Sequence, residues 1–225
     1  MRKIVILFAV LFSVNAFSQL TPEKMFEYVF KEGETGFYGG VNYNLVNLSF
    51  SDWSMLPVNY GGEQLNSVET QFSFGFGAGV MKNYPLNDYV LFRPQLGIAY
   101  NKFEFKYDFA SGVHTEGVEA ITGEFIADLA IKPVDEDLVP SIIVGGSYMY
   151  DFNAVNSQNL QLNPSNISVG AGVGFSIKFS NFSLSPVVKY SYGLNNLSGG
   201  ESNIFNDAIS DMKRHVVSLT VYYYK

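Results

Sequence analysis

Charged side chains recur on the small, polar face of segments in which residue types alternate. Arg93, Glu124, Asp128, Lys178 and Lys189 all occupy such positions, each directly beside an apolar residue. Acids and bases that share a narrow interior form hydrogen-bonded ion pairs. The pattern therefore predicts a network of paired charges that fills an interior. A selective conduit and a catalytic site are the two alternatives that the same residues leave open.

The two histidines are the residues best suited to acid–base chemistry. His114 lies in a predicted loop, and His215 lies at one end of the last predicted strand. A histidine that meets both a serine and a carboxylate can support nucleophilic catalysis, and serine and aspartate are abundant here. Because no spacing selects such a triad, we predict no catalytic residue and no enzyme. A histidine-dependent enzyme is the alternative, and hydrogen-bond reach from one histidine to both partners would distinguish it.

Three other features resemble binding sites only superficially. The acidic run Asp135-Glu136-Asp137 lacks the ligand spacing of a calcium loop, and we interpret it as a solvated turn. The glycine-rich stretch 170–174 is not followed by a helix, so it is not a phosphate-binding loop. Trp53 is interpreted as a loop anchor. We therefore predict no metal site, no cofactor and no cofactor-binding residue.

Composition restricts the class of protein. The chain has 225 residues, 47% of them hydrophobic and 16% aromatic, and only 16% are charged. Soluble domains carry about 25% charged residues, so a fully hydrated surface is under-supplied. The absence of cysteine excludes disulfides and thiolate chemistry. A net charge of −7 without a basic patch argues against nucleic-acid binding.

The N-terminus has the pattern of a secretory signal peptide. Arg2 and Lys3 precede an unbroken apolar run over 4–14, which is too short to span a bilayer as a helix. Small residues at Ala16 and Ser18 suit a cleavage site before Gln19. We expect residues 1–18 to be the signal peptide, 19–35 a periplasmic N-terminal segment and 36–225 the folded domain.

Period-two alternation runs through that domain and predicts about eight strands. It is purest over 167–179, where alternate residues from Ile167 to Phe179 are apolar and the intervening ones are small or polar. After Lys102 the parity of the apolar residues changes, which indicates either a bulge or a strand that continues beyond a membrane. The predicted strands are 37–46, 72–80, 89–101, 119–132, 141–152, 167–179, 182–194 and 215–224.

Loop lengths alternate along the chain. Short connections at 83–88, 133–138 and 180–181 alternate with long ones at about 49–70, 109–118, 153–166 and 195–214. Bacterial outer-membrane barrels have an even number of strands, short periplasmic turns and long extracellular loops. We therefore predict an all-β fold, an eight-stranded antiparallel up-and-down transmembrane β-barrel in the outer membrane. A soluble eight-stranded barrel is the alternative. The outward-facing positions of such a barrel would need many charged side chains, whereas the polar positions of this chain are mostly Ser and Gly.

Two short helices and an aromatic girdle complete the prediction. Thr21-Pro22 begins one helix in the periplasmic segment. A second is expected in the last long loop, where Ile204, Phe205, Ala208, Ile209 and Met212 share a face. Either helix could pack on the barrel rim or dock a partner. Tyrosines expected in the interfacial girdles are Tyr43, Tyr84, Tyr89, Tyr148, Tyr150, Tyr192 and Tyr222.

The last third of the chain resembles the PorT family of outer-membrane β-barrel proteins. The similar segments are Gly170–Phe179, Phe182–Leu197, Asn206–Ile209 and Leu219–Tyr223, with weaker likeness at Phe92–Leu96 and Val144–Gly146. The resemblance implies an eight-stranded barrel that supports type IX secretion, and in some bacteria gliding motility. It implies no catalytic residues.

The resemblance and the strand pattern together give the leading hypothesis. We expect a non-enzymatic outer-membrane barrel that supports type IX secretion through protein–protein contacts, with membrane lipid and secretion-complex proteins as partners. An OmpA-like structural or adhesive barrel with ligand-binding loops is the second hypothesis. An outer-rim enzyme acting on lipid A or peptides is the third.

Overall fold

The structure is a computed structural model that describes residues 33–50, 65–71, 73–133, 138–153, 160–199 and 204–225. The predicted signal peptide, the helix at Thr21-Pro22, Trp53 and the acidic run 135–137 lie outside the described residues. No helix within the described ranges is long and apolar enough to cross a membrane.

The described chain is almost entirely strand. One short helix, α1 (Ile204–Asp207), precedes the last strand. The strands are β1 (Glu34–Phe50), β2 (Leu65–Thr70), β3 (Phe74–Pro85), β4 (Val90–Phe109), β5 (Gly112–Ile131), β6 (Leu138–Asp151), β7 (Ser165–Lys178), β8 (Ser183–Gly193) and β9 (Ile209–Tyr224).

Eight of these strands close into a ring. From β3 to β9 each strand pairs antiparallel with the next in sequence, and β1 joins β9 on one side and β3 on the other. The short strand β2 pairs only with the far part of β4, from Leu65↔Phe109 to Thr70↔Phe105. It therefore continues the line of β3 rather than adding a ninth wall strand. Closure removes the sheet edges that hydrocarbon cannot tolerate, and the predicted barrel is confirmed.

Apolar side chains face outward along the ring. Phe37, Leu96 and Val173 are each 60% or more exposed. The intervening positions, such as Gln95 and Ser168, are buried inside the ring. This is the reverse of a soluble barrel, whose apolar parity faces inward. The outward surface suits lipid, so the soluble alternative is excluded.

The polarity of β4 inverts along its length without a break in pairing. Its register with β5 is continuous from Val90↔Ile131 to Phe109↔Gly112. Below Lys102 the buried positions are polar apart from the small Ala99, whereas Phe103 and Phe105 above it are buried and apolar. No bulge is present in this pairing. Of the two interpretations of the sequence, the structure therefore favours the strand that continues beyond the membrane. Beyond Lys102 the strand obeys the rule of a soluble protein, with an apolar interior and a charged exterior.

Three sequence predictions are corrected here. The region 109–118 is not a loop, because β4 and β5 form a long hairpin that turns at Ala110 and Ser111. The helix in the last connection covers only Ile204–Asp207, since β9 begins at Ile209 and takes that residue and Met212 as strand. Tyr222 lies inside the barrel rather than in a girdle, because even-numbered positions of β9 face inward.

Candidate functional site

The lumen of the barrel holds a balanced set of charges. Among the described residues, three cationic side chains and three carboxylates are buried there. They are Arg93, Lys189 and Arg214, and Glu124, Asp128 and Asp151. Burial of an unpaired charge in a low-dielectric interior is costly, so the equal numbers make the filling tolerable, and two of the pairs, Lys189 with Asp128 and Arg214 with Asp151, are in contact.

The layer nearest the termini is organised by Arg93. Its Nε donates to Asn83 Oδ1 at 2.8 Å, and its guanidinium lies 4.3 Å from the centre of the Tyr222 ring. The amide of Asn83 in turn donates to Glu34 at 3.3 Å. Stacking on an aromatic face suits the weakly hydrated guanidinium group. This layer closes the periplasmic end of the lumen with polar but mutually satisfied groups.

The middle layer centres on Asp128. Lys189 Nζ lies 3.0 and 3.1 Å from its two carboxylate oxygens, and Gln95 Nε2 donates to Oδ2 at 2.9 Å. Tyr222 donates its hydroxyl to Gln95 Oε1 at 3.1 Å. Gly145 faces Asp128 across the β5–β6 pair, and a Cβ there would overlap the carboxylate. The absence of a side chain at Gly145 therefore leaves room for the Asp128 carboxylate.

The layer nearest the outer end is built around Arg214, which is 1% exposed. Its Nε donates to Asn44 Oδ1 at 2.9 Å, and its Nη1 lies 3.8 Å from Asp151 Oδ2. Thr122 donates to the same aspartate. The guanidinium also lies 5.0 Å from the Phe103 ring, where the polar lumen meets the apolar outer core.

Little open space remains between these layers among the residues that the structure describes. The lumen cavity beside Glu124, Lys189 and Ser147 has a volume of about 40 Å³. That volume holds a few water molecules, not a solute path. An eight-stranded barrel is just wide enough for its side chains to fill, and here they fill it. The geometry therefore favours the predicted charge network over the selective conduit.

An apolar core, here called the outer cap, lies above the polar lumen. It combines the β4–β5 hairpin with β2, α1 and the start of β9. Phe205 of α1 packs edge-on against Tyr107 with ring centres 4.9 Å apart. The buried members of the cap are Leu65, Val68, Phe103, Phe105, Tyr107, Phe109, Val118, Ala120, Leu160, Leu162, Leu197, Ala208, Ile209 and Met212.

The histidines do not form a triad within the described part of the chain. His114 Nε2 lies 2.5 Å from Glu116 Oε1, and the side chain is half exposed on the β4–β5 hairpin. His215 is only 3% exposed, with its ring 4.5 Å from Tyr192. Both of its ring nitrogens lack a hydrogen-bond partner there. Neither histidine is hydrogen-bonded to a serine hydroxyl among these residues.

The structure brings most of the predicted charged residues together. Arg93, Glu124, Asp128 and Lys189 lie in the lumen, but Lys178 is exposed at the end of β7, so its predicted place in the network is wrong. Sequence reasoning missed the lumen roles of Arg214 and Tyr222, and it left Asp151 out of the charge network although alternation puts this residue on the polar face of its strand. Extending the parity of β9 back to position 214 would have identified the buried arginine. Among the described residues no group of three His, Asp or Glu is placed to hold a metal ion.

A closed antiparallel ring with a polar, charge-balanced interior and an apolar exterior defines a transmembrane β-barrel of the bacterial outer membrane. Residues 17–199 match the model of the outer membrane protein beta-barrel domain family, and the chain belongs to that family. The match ends before β9, the strand that closes the ring. No curated protein matches the chain.

Several solved outer-membrane proteins are similar to the chain at low identity. The chain is 13% identical to OprG from Pseudomonas aeruginosa, covering 86% of this chain and 94% of that one with a TM-score of 0.44. Ail of Yersinia pestis, solved with a heparin analogue, is 13% identical, with 87% and 100% covered and a TM-score of 0.40. AlkL in lipid bilayers is 16% identical, with 87% and 92% covered and a TM-score of 0.44.

Proposed function

We propose that this outer-membrane barrel is non-enzymatic and supports type IX secretion through protein–protein contacts of its extramembrane surfaces. The observation that assigns the function to the extramembrane surfaces is the filled lumen, because a barrel plugged by its own ion pairs has no path for a solute. Function then falls to the surfaces outside the membrane. The secretion role itself is supported by the PorT-like segments in the last third of the chain.

A gene deletion tests the secretion role. We expect export of type IX cargo to fall on deletion and to return when the wild-type gene is supplied. Complementation with a variant of the exposed hairpin surface, such as Val113→Asp, would separate surface contacts from barrel integrity. Affinity capture from intact outer membranes should recover secretion subunits with the tagged wild-type protein. Unchanged cargo export in the deletion strain would refute the proposal.

A structural or adhesive barrel is the second candidate. The long β4–β5 hairpin favours it, because it carries outward charged side chains such as Glu104 and Lys106 beyond the membrane on an apolar core. This candidate predicts normal cargo export on deletion, together with altered adhesion or envelope integrity.

The rim-enzyme alternative is not favoured by the geometry of either histidine. His114 contacts an acid, and His215 is buried without a hydrogen-bond partner in the described chain. Replacing each histidine with alanine tests this directly. Loss of a lipid A or peptide turnover in one variant would establish the enzyme, whereas turnover retained by both would exclude a histidine-dependent mechanism.

A further inference from the structure

The barrel wall is open on one side at its outer end. β1 pairs with β3 as far as Tyr43↔Phe74, followed by one bond from the Asn44 amide to the Ser73 carbonyl at 2.9 Å. From Leu45 to Phe50, β1 pairs only with β9, whereas β2 pairs only with β4. Within the described chain, the facing edges of β1 and β2 are therefore not joined.

A cleft of about 420 Å³ lies at this opening. Leu45 and Asn47 face outward on β1 and Val46 faces inward, yet all three line the cleft, which therefore runs along the strand edge. Thr70 and Gln71 line it from the β2 side. The volume is within the range of small-molecule sites.

His215 lines the same cleft and has no partner there. It is 97% buried, and neither ring nitrogen makes a hydrogen bond within the described chain. Buried polar groups in native proteins almost always have a partner, and leaving one unpaired costs about 1–3 kcal/mol. A neutral imidazole offers one donor and one acceptor, which is the pair that a hydroxyl group can match.

The charges around the cleft favour an uncharged ligand. The neighbouring Lys213 lies 3.7 Å from Asp211, and Arg214 points into the lumen toward Asp151. Apart from His215, the lining side chains among the described residues carry no formal charge at neutral pH. Amide and hydroxyl groups beside the tyrosine rings of Tyr43 and Tyr190 suit a sugar better than a phosphate.

We propose that this cleft binds the uncharged, hydroxyl-rich headgroup of a glycolipid in the outer leaflet. The headgroup hydroxyls pair with Asn47 and Thr70, and with His215 once its ring turns toward the cleft, and the acyl chain follows the apolar surface of β1, β9 and β8. The level of the cleft agrees with this occupant, because Tyr43 and Tyr192 are exposed on the outside of the barrel and are predicted to lie in an interfacial aromatic girdle. The site does not depend on the secretion role, since it is formed by the barrel wall.

The two histidines of the chain make the test selective. Full-length protein with nitrogen-15 only in histidine, held in tetraethylene glycol monooctyl ether micelles, gives two sets of imidazole signals. A His114→Gln variant assigns them. Octyl glucoside is then titrated in, with octyl phosphocholine and free glucose in parallel samples. We expect a saturable shift of the His215 signal with octyl glucoside alone, and no change at His114.

Variants of the lining residues locate the site. Asn47→Leu and Thr70→Val should each raise the half-saturating concentration of octyl glucoside at least about fivefold. Asn66→Leu, at an exposed β2 position that does not line the cleft, should not raise it. A retained heat-dependent shift in gel mobility shows that each variant is folded. The proposal is overturned if His215 does not respond, if both histidines respond alike, or if octyl phosphocholine shifts His215 equally.

Discussion

Lys189 of β8 and Asp128 of β5 meet inside the barrel although three strand interfaces separate them along the wall. The lysine Nζ is 3.0 Å from one carboxylate oxygen and 3.1 Å from the other. The pair therefore braces the lumen from two sides. Since Asp128 also accepts from Gln95, a single carboxylate connects β4, β5 and β8.

Breaking this pair should destabilise the barrel. Lys189→Met leaves the Asp128 charge buried and uncompensated, and we expect a loss of about 3–5 kcal/mol in the free energy of unfolding. Urea-induced unfolding in lipid vesicles measures it. Lys178→Met, at the exposed end of β7, should change stability by less than about 0.5 kcal/mol. Adding Asp128→Asn to Lys189→Met should recover part of the lost stability. If the losses of the two single variants simply add in the double variant, the two residues are not coupled.

The filled lumen predicts an electrically silent barrel. The protein reconstituted in planar bilayers should show no discrete conductance steps, because the ion pairs and the outer cap obstruct the axis at successive levels. Steady single-channel conductance steps from protein that is shown to be folded would contradict a plugged lumen and would support the conduit hypothesis.

Outward-facing positions should respond to charge according to depth. Val173 lies near the middle of the lipid-facing row of β7, which runs from Ile167 to Ile177. Val173→Arg should therefore cost about 2–4 kcal/mol, the cost of an arginine at the bilayer midplane. Val113→Arg, on the exposed hairpin beyond Lys102, should cost little. Equal losses at the two sites would mean that the membrane boundary is misplaced.

The outer cap should behave as a packed core. Phe105 is 1% exposed within it, and Phe105→Ala should cost about 3–5 kcal/mol and open the hairpin to protease on intact cells. Leu96→Ala removes a lipid-facing side chain instead and should leave the hairpin resistant. If Phe105→Ala cells resist protease as wild-type cells do, the cap is not held by this core.

Burial, with the nearby Glu116 carboxylate, raises the pKa of Tyr107 above its ordinary value of about 10. The folded cap then keeps a proton that the unfolded chain releases, so stability is full below about pH 10 and falls as the pH rises above it. Near-ultraviolet circular dichroism during urea unfolding at pH 9 and pH 11 measures the difference. Tyr107→Phe should reduce the pH effect, whereas Tyr89→Phe, at an exposed tyrosine, should not.

Alternation was sufficient to predict the barrel and much of its lumen. A period of two assigns each side chain to one face, and the low charge content selects lipid over water for the apolar one. Arg93, Glu124, Asp128 and Lys189 followed directly from that assignment. Pairing partners did not, because contacts such as Lys189 with Asp128 depend on barrel closure and register, which alternation leaves open.

The outer cap was harder to predict for a physical reason. Its strands keep the same alternation but reverse which class faces inward, so a change at Lys102 resembles a bulge as closely as a membrane boundary. The apolar residues of 204–212 suit a helix by spacing, yet pairing with β1 draws Ile209 and Met212 into β9. Contacts with other strands therefore decide between helix and strand where the local sequence is compatible with both.

The reversal of polarity on β4 has a consequence for assembly. Glu104, Lys106 and Asp108 end on the far side of the bilayer, so each must traverse hydrocarbon while the hairpin is delivered to the cell surface. At about 2–4 kcal/mol for a basic side chain at mid-depth, and less for an acidic one, this transit sets a kinetic barrier that the finished barrel does not reveal. Unassisted insertion should therefore accelerate steeply as the acyl chains of the host vesicle are shortened.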